Sequence, residues 1–458
     1  MNTTICFEKA LVGDTWLENV KLAVSSQGNI ESIESNVVFA KQESVVSGYA
    51  IPGIPNVHSH AFQRVMRGLA EHSTSTSDSF WTWREQMYRF AQVLTPEDIE
   101  VVASQLYLEM LKAGYTSVAE FHYLHHRPGG QHYSQPEEMS QAILTAATSA
   151  GIGLTHLPVL YMTRDFEGGS LAEQQLRFGH DLESFQFLLE RLKPRLTNSP
   201  QTRLGCALHS LRAVPEQARH NLLSFLKQFN PDGVIHIHIA EQQKEVDDCL
   251  AVHGQRPVEW LLNQHEVNER WCLVHATHLN GVEISRLAGS GAVVGLCPTT
   301  EANLGDGFFP LKSFLDHGGS IALGSDSHIS VSPIEEMRWL EYGQRLFTQT
   351  RNVVSSADRP HSGANIVSEV LAGGARAMGA KVGKIALGYR ADIAVLDSRD
   401  PDLAYKGDTT LLDSAVFSGN TNRFRHVMAG GQWVVNNYTH PREDEITQRY
   451  LALIEKLS

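Results

Sequence analysis

Cysteine is scarce in this 458-residue chain: five residues, Cys6, Cys206, Cys249, Cys272 and Cys297, odd in number and without CxxC spacing. Neither a disulfide framework nor a cysteine metal site is supported by so few, so placed. No stretch reaches the roughly 18 apolar residues of a membrane span, and the N-terminal MNTTICFEKALVGDTW lacks the basic start and apolar core of a secretion signal. The expected address is cytoplasmic. Dense basic runs are missing too, and the formal net charge is −13. That argues against a general nucleic-acid binder, because neutralising phosphates takes clustered Lys and Arg. An anionic ligand would have to be held by local arginines against this field.

Apolar residues make up 42% of the chain and charged residues 19%, the balance of a folded protein long enough to bury a large core. Residues 1 to about 50 read as short strands with turns (Thr4 to Phe7, Val20 to Val24, Ile30 to Ile33), too thin to bury a core alone. From Tyr49 onward short apolar runs alternate with amphipathic stretches, the pattern of βα units on a parallel sheet. Thr95-Pro96-Glu97-Asp98 opens one helix with a cap, a first-turn proline and acidic residues. Ile99, Val102, Leu106 and Met110 then recur at helical spacing before Gly114. Strand-like runs before His58 and Glu120, and at 152–160, 204–208, 234–239, 271–274, 292–296 and 320–323, make eight. The expectation is a (β/α)8 TIM-type barrel over residues 51–379, with its chemistry where strands end. After about Met378 the texture returns to strands, which pair most simply with the N-terminal ones in a small β domain of residues 1–50 and 380–445. Residues 446–458 read as a terminal helix.

Four places near strand ends carry metal-ligand residue types. His58 and His60 are two apart, so both rings point to one side of a strand, and neutral imidazoles suit zinc. In His236-Ile237-His238-Ile239-Ala240-Glu241 the histidine nearer the C-terminal end is preferred, His238, with His236 as a deeper core residue. Glu241, one short turn beyond, can move a proton between water and substrate; otherwise it is a solvated loop acid. His275 ends the run Trp271 to Val274, with His278 as its rival. Asp326 follows the small residues Gly324 and Ser325, where a backbone can approach a site, although an aspartate there is often only a cap. His328 shares its face.

These residues, in this order, resemble the amidohydrolase superfamily, in which HxH ends strand 1, single histidines end strands 5 and 6, and an aspartate ends strand 8. The run Ile51 to Val57 and the tail Gly383-Lys384-Ile385-Ala386-Leu387-Gly388 with Ala391-Asp392 carry the resemblance further. It implies that the small domain is a β-sandwich made from both termini. The bridging lysine of two-metal members is missing from Leu204 to His209, and HxxE at His238 and Glu241 matches the single-metal deaminase branch, which implies one zinc ion. Within that branch the segments NVHSHAFQRVMRGLAE, DSFWTWREQMYR, GYTSVAEFHYLHH, LHSLRAV, HIHIAEQQKEVDDC, LVHATH, TTEANLGDG and GSDSH resemble deiminases of a linear amidine in histidine breakdown. Hydrolysis of N-formimino-L-glutamate to N-formyl-L-glutamate and ammonia is the implied activity.

By the same resemblance Gln63, Arg84, Tyr123, His209 and Arg212 match a substrate pocket. A glutamate-derived substrate has two carboxylates, which guanidinium groups hold through paired charge-assisted hydrogen bonds. The implied metal ligands are His58, His60, His238 and Asp326; the catalytic groups are Glu241 as proton shuttle, His275 as orienting group and Asp326 as proton acceptor. A homodimer acting on a small dicarboxylate, without nucleic acid or membrane, completes the expectation. A rival enzymatic reading is an aminohydrolase of a purine, pterin or triazine ring, whose pocket would favour aromatic walls. A non-catalytic barrel with structural histidines is the third reading, and such metal sites are closed by four side chains.

Overall fold

The computed structural model describes residues 3–41, 43–71, 80–197 and 199–457. Asp78 and Ser79 of the DSFWTWREQMYR segment, with Met1, Asn2 and Ser458, lie outside the described residues.

Both termini contribute to one sheet. Strands β1 (Thr3–Val12), β2 (Thr15–Val24), β3 (Ile30–Glu34) and β4 (Val45–Pro52) come from the start of the chain. Strands β14 (Ile393–Leu396), β15 (Phe424–Ala429) and β16 (Gln432–Val435) come from its end. They run in the order β16-β15-β14-β4-β1-β2-β3, with β14 antiparallel to β4 joining the halves. Phe7, Val20, Leu22, Ile30, Ile393 and Met428 close a separate core here. The N-terminal strands are thin because the tail supplies the rest of that core.

Between these segments lie β5 (Ile54–Ser59), β6 (Tyr115–His122), β7 (Gly153–Leu160), the short β8 (Thr202–Leu204), β9 (Cys206–Ser210), β10 (Ile235–Ile239), β11 (Trp271–His275), β12 (Val293–Leu296) and β13 (Ser320–Leu323). Eight of them form a parallel wall, β5-β6-β7-β9-β10-β11-β12-β13, with β8 beside β7. Every residue of β6 and β7 is buried, which is why parallel strands covered on both faces read as unbroken apolar runs. The wall closes where β5 meets the end of β13: Ser325 and Asp326 both donate their backbone N–H to His58 O, at 3.1 and 3.0 Å, and Ser59 bridges to Asp326 in parallel. A β carbon at Gly324 would sit 2.6 Å from His58 Cβ, so only glycine lets the strands approach this closely.

Helices cover the outside. In the helix Pro96–Lys112, Thr95 accepts from the Asp98 backbone N–H at 3.2 Å while Asp98 accepts from that of Thr95 at 3.0 Å, a reciprocal cap that satisfies two free donors. Gly114 ends it with φ +96°. The last helix, Glu443–Leu457, packs against this one through Thr447 to Gln105 and Lys456 to Asp98, each at 3.2 Å. No helix among the described residues is long and apolar enough to cross a membrane.

Candidate active site

His58 is the penultimate residue of β5 and His60 directly follows that strand, His238 is the penultimate residue of β10, and Asp326 follows β13. Their inward atoms converge. His58 Nε2 lies 3.1 Å from His60 Nε2 and 3.0 Å from His238 Nε2, and Asp326 Oδ1 lies 3.4 and 3.3 Å from Nε2 of His58 and His60. One ligand atom from each of the four residues falls within 4.8 Å of every other.

The protons on these rings follow from their outer partners. His60 and His238 each donate Nδ1–H to a carbonyl, Phe121 O and His209 O, both at 3.0 Å. Carbonyl oxygens only accept, so the bond fixes the proton on Nδ1 and leaves Nε2 as a lone pair. Burial lowers the pKa of His58, His60 and His238 and keeps the rings neutral. His58 can bring at most one proton to two facing lone pairs and an aspartate oxygen. Such a donor set fits a divalent cation of the zinc type.

Backbone strain concentrates at the same place. Among the described residues twelve other than glycine have positive φ, and five of them are Ala240, His275, Ala276, Asp326 and His328. Left-handed backbone costs about 1 kcal/mol or more per residue, and here it falls just where β10, β11 and β13 end.

His275 is buried with Nε2 3.7 Å from Glu241 Oε1 and 3.8 Å from Asp326 Oδ2. Burial works against its charged form, but Glu241, Glu301 and Asp326 outweigh it and push the imidazole up to about 10. Burial also raises Glu241, to about 7, with Asp326 and Glu245 adding to the shift. A carboxyl poised near neutrality can both take and give a proton.

A single cavity is lined by three of the four cage residues, His60, His238 and Asp326, by Glu241 and His275, and by all five expected substrate residues, Gln63, Arg84, Tyr123, His209 and Arg212. Gln63 Nε2 donates to Tyr123 Oη at 2.9 Å, and Arg212 Nη1 donates to Tyr161 Oη at 3.3 Å. Arg84 lies over the Tyr88 ring, 5.5 Å from its centre. Burial lowers the pKa of Arg84, and Arg212 adds to the effect, so two guanidinium groups face the same space. Arg212 forms no ion pair among the described residues.

The rival histidines go elsewhere. His236 donates through Nε2 to Ala377 O at 2.8 Å. His278 is only partly buried, beside Asp306 and Arg256. His328 lies between Ser325 Oγ, at 3.0 Å, and Ser59 Oγ, at 3.3 Å. Several groups near the chemistry escaped the sequence reading: Glu120, Glu245, Glu301, Asp306 and Tyr161. Glu120 accepts from Ser59 Oγ at 2.6 Å and from the Ala61 N–H at 2.7 Å, bracing the backbone that carries His58 and His60. Glu301 and Asp306 lie in the TTEANLGDG segment, five and ten residues after the end of β12, and two carboxylates in the connection beyond a strand end are the only signal the sequence offers for them.

The chain belongs to the amidohydrolase family, whose sequence profile matches residues 49–434. Among curated relatives, formimidoylglutamate deiminase of Pseudomonas aeruginosa is 48% identical over 99% of both chains. The 5-methylthioadenosine/S-adenosylhomocysteine deaminase of Pyrococcus abyssi is 26% identical over 85% of this chain and 83% of its own. Among solved structures, an amidohydrolase from Brucella melitensis superposes with a TM-score of 0.93 at 41% identity, covering 99% of each chain.

Proposed function

We propose that this protein is a formimidoylglutamate deiminase, hydrolysing N-formimino-L-glutamate to N-formyl-L-glutamate and ammonia in histidine degradation. The observation that carries the reading is one cavity holding both a His/Asp cage and two arginines, in a chain 48% identical to a protein of that name. The cage accounts for hydrolysis and the arginines for a dicarboxylate.

In this reading His58, His60, His238 and Asp326 hold one zinc ion, within a barrel of residues 51–379 flanked by a domain of residues 1–50 and 380–445. Zinc supplies Lewis acidity, bringing the pKa of water from about 15.7 towards roughly 7. Arg84 and Arg212 bind the substrate carboxylates, helped by Gln63, Tyr123 and His209, and so set the formimino carbon beside the cage. Asp326 accepts the proton released by water. His275 holds the attacking oxygen through Nε2. Glu241 carries a proton to the departing nitrogen, which leaves as ammonia.

The protein is further proposed to act in the cytoplasm as a homodimer. The exposed Trp339, Leu346 and Phe347 on the helix Pro333–Thr348, with Phe308 beside them, offer an apolar face for a second copy.

The test is ammonia release from N-formimino-L-glutamate beside elemental analysis of the purified protein, with adenosine and guanine as competing substrates. Turnover of the linear amidine with one zinc per chain supports the reading. Turnover of a ring substrate alone overturns it.

A further inference from the structure

Glu301 lies in the short helix Pro298–Leu304 that follows β12. Its Oε1 accepts two hydrogen bonds, from the Cys297 backbone N–H at 2.8 Å and from His275 Nδ1 at 3.2 Å. Both side chains are buried, Glu301 7% and His275 1% exposed. With Nδ1 tied to Glu301, the ring of His275 can act only through Nε2. That atom stands 3.7 Å from Glu241 and 3.8 Å from Asp326, beyond a hydrogen bond from either, and His275 lines the cavity.

We propose that Glu301 is a positioning residue for hydrolysis: its carboxylate accepts the Nδ1–H of His275, orients the ring and supports its doubly protonated form, whose Nε2–H is the donor to the attacking oxygen. The physical reason is the one that governs carboxylate–imidazole pairs generally. An anion at one nitrogen sets the tautomer, orients the ring and stabilises the positive charge that a donor at the other nitrogen brings to an oxyanion. A competing account makes Glu301 only a cap for the Cys297 N–H. The bond to His275 separates the two accounts, since a cap has no need to reach a ring that ends a different strand.

The inference rests on the proposed deiminase reading, and the experiment keeps the two apart. Wild type, Glu301→Gln, His275→Gln and the double variant are assayed for ammonia release from N-formimino-L-glutamate, with zinc content and melting temperature measured for each. Glutamine retains the shape of Glu301 and an oxygen that can accept from both donors while removing its charge. Glu301→Gln is expected to lower kcat about 10- to 100-fold, the usual loss when the carboxylate partner of a site histidine is removed, with KM within about twofold and zinc bound as in wild type. The double variant is expected to be no slower than His275→Gln alone, because the two residues act as one unit. Normalising kcat to bound zinc keeps the comparison valid for a partly folded preparation. Full kcat in Glu301→Gln, losses that multiply in the double variant, or loss of zinc with the charge overturns the inference. Failure of wild type to release ammonia from this substrate instead overturns the deiminase reading.

Discussion

The cage and the arginine side of the same cavity are held by different parts of the fold. His58, His238 and Asp326 sit on or next to strands of one hydrogen-bonded wall, and His60 and Asp326 are joined through their backbones. Arg84 instead lies on the helix Phe80–Ala91, Gln63 in the 3-10 turn Ala61–Met66 and Arg212 two residues past β9. A strand end fixes a ligand atom to a fraction of an ångström, which a metal requires; a connecting segment can change length and residues without moving the strands. The barrel thus carries the cage and the two arginines on different supports, while His209 within β9 and Tyr123 just after β6 share the support of the cage.

That separation is tested first by stripping the cage. Dialysis against a chelator is expected to abolish ammonia release and added zinc to restore it, with substrate contacts intact throughout. A metal-free preparation at full activity would show that the cage is not the reacting side. Next in size is Glu241→Gln, which leaves the four cage residues alone but removes the proposed proton carrier. Its kcat is expected to fall by about 10² to 10⁴, the range for loss of a general acid–base group, with wild-type zinc content by elemental analysis. On the other side, Arg212→Met removes a charged donor and keeps the bulk. For the dicarboxylate, kcat/KM is expected to drop about 10- to 100-fold, equivalent to the roughly 1.5–3 kcal/mol of a charge-assisted hydrogen bond. Lost zinc in Arg212→Met, or unchanged kcat/KM, would remove the division between the two sides.

The same division decided what could be read from the sequence. All eight barrel strands were legible because parallel strands buried on both faces read as apolar runs, and the cage was legible because its residues end those runs. His238 was separable from His236 on strand position alone, and the backbone bond of His236 to Ala377 O agrees with that choice. The closing of the wall rested on a smaller signal, Gly324, whose missing side chain lets β13 lie against His58. Glu301 and Asp306 were not legible as site groups: they follow β12, yet the ring they surround ends β11, and only folding brings them together. For Glu245 and Tyr161 the difficulty was similar. Each is a common residue type whose meaning comes from what it faces, Tyr161 receiving Gln175 Nε2 at 2.8 Å and Arg212 Nη1 at 3.3 Å. Sequence carries periodicity and position well, and contacts between separate connections poorly.

The smallest expected effect concerns histidines away from both sides of the cavity. His126 donates through Nε2 to Gly179 O at 2.7 Å, with the rings of His132, His180 and His125 around it at 4.4, 4.6 and 6.2 Å and Arg177 close by. Burial lowers its pKa to about 4 from an ordinary value near 6.5, and the charges of His132 and Arg177 act in the same direction. Between those values the unfolded chain takes up a proton that the folded chain refuses. Stability contributed by the neutral ring is therefore complete above about pH 6.5 and declines as the pH falls towards 4. At pH 5.5 this single group should cost about 1 kcal/mol relative to pH 7.5. His126→Gln keeps a donor for Gly179 but cannot titrate, so its urea midpoint should fall less than that of wild type between the two pH values. Both proteins carry the same cage, which cancels the loss of metal at low pH from the comparison. Equal slopes would mean that His126 takes its proton in the folded state as readily as in the unfolded one, and that the acid sensitivity belongs to other groups such as the buried His125 and His180.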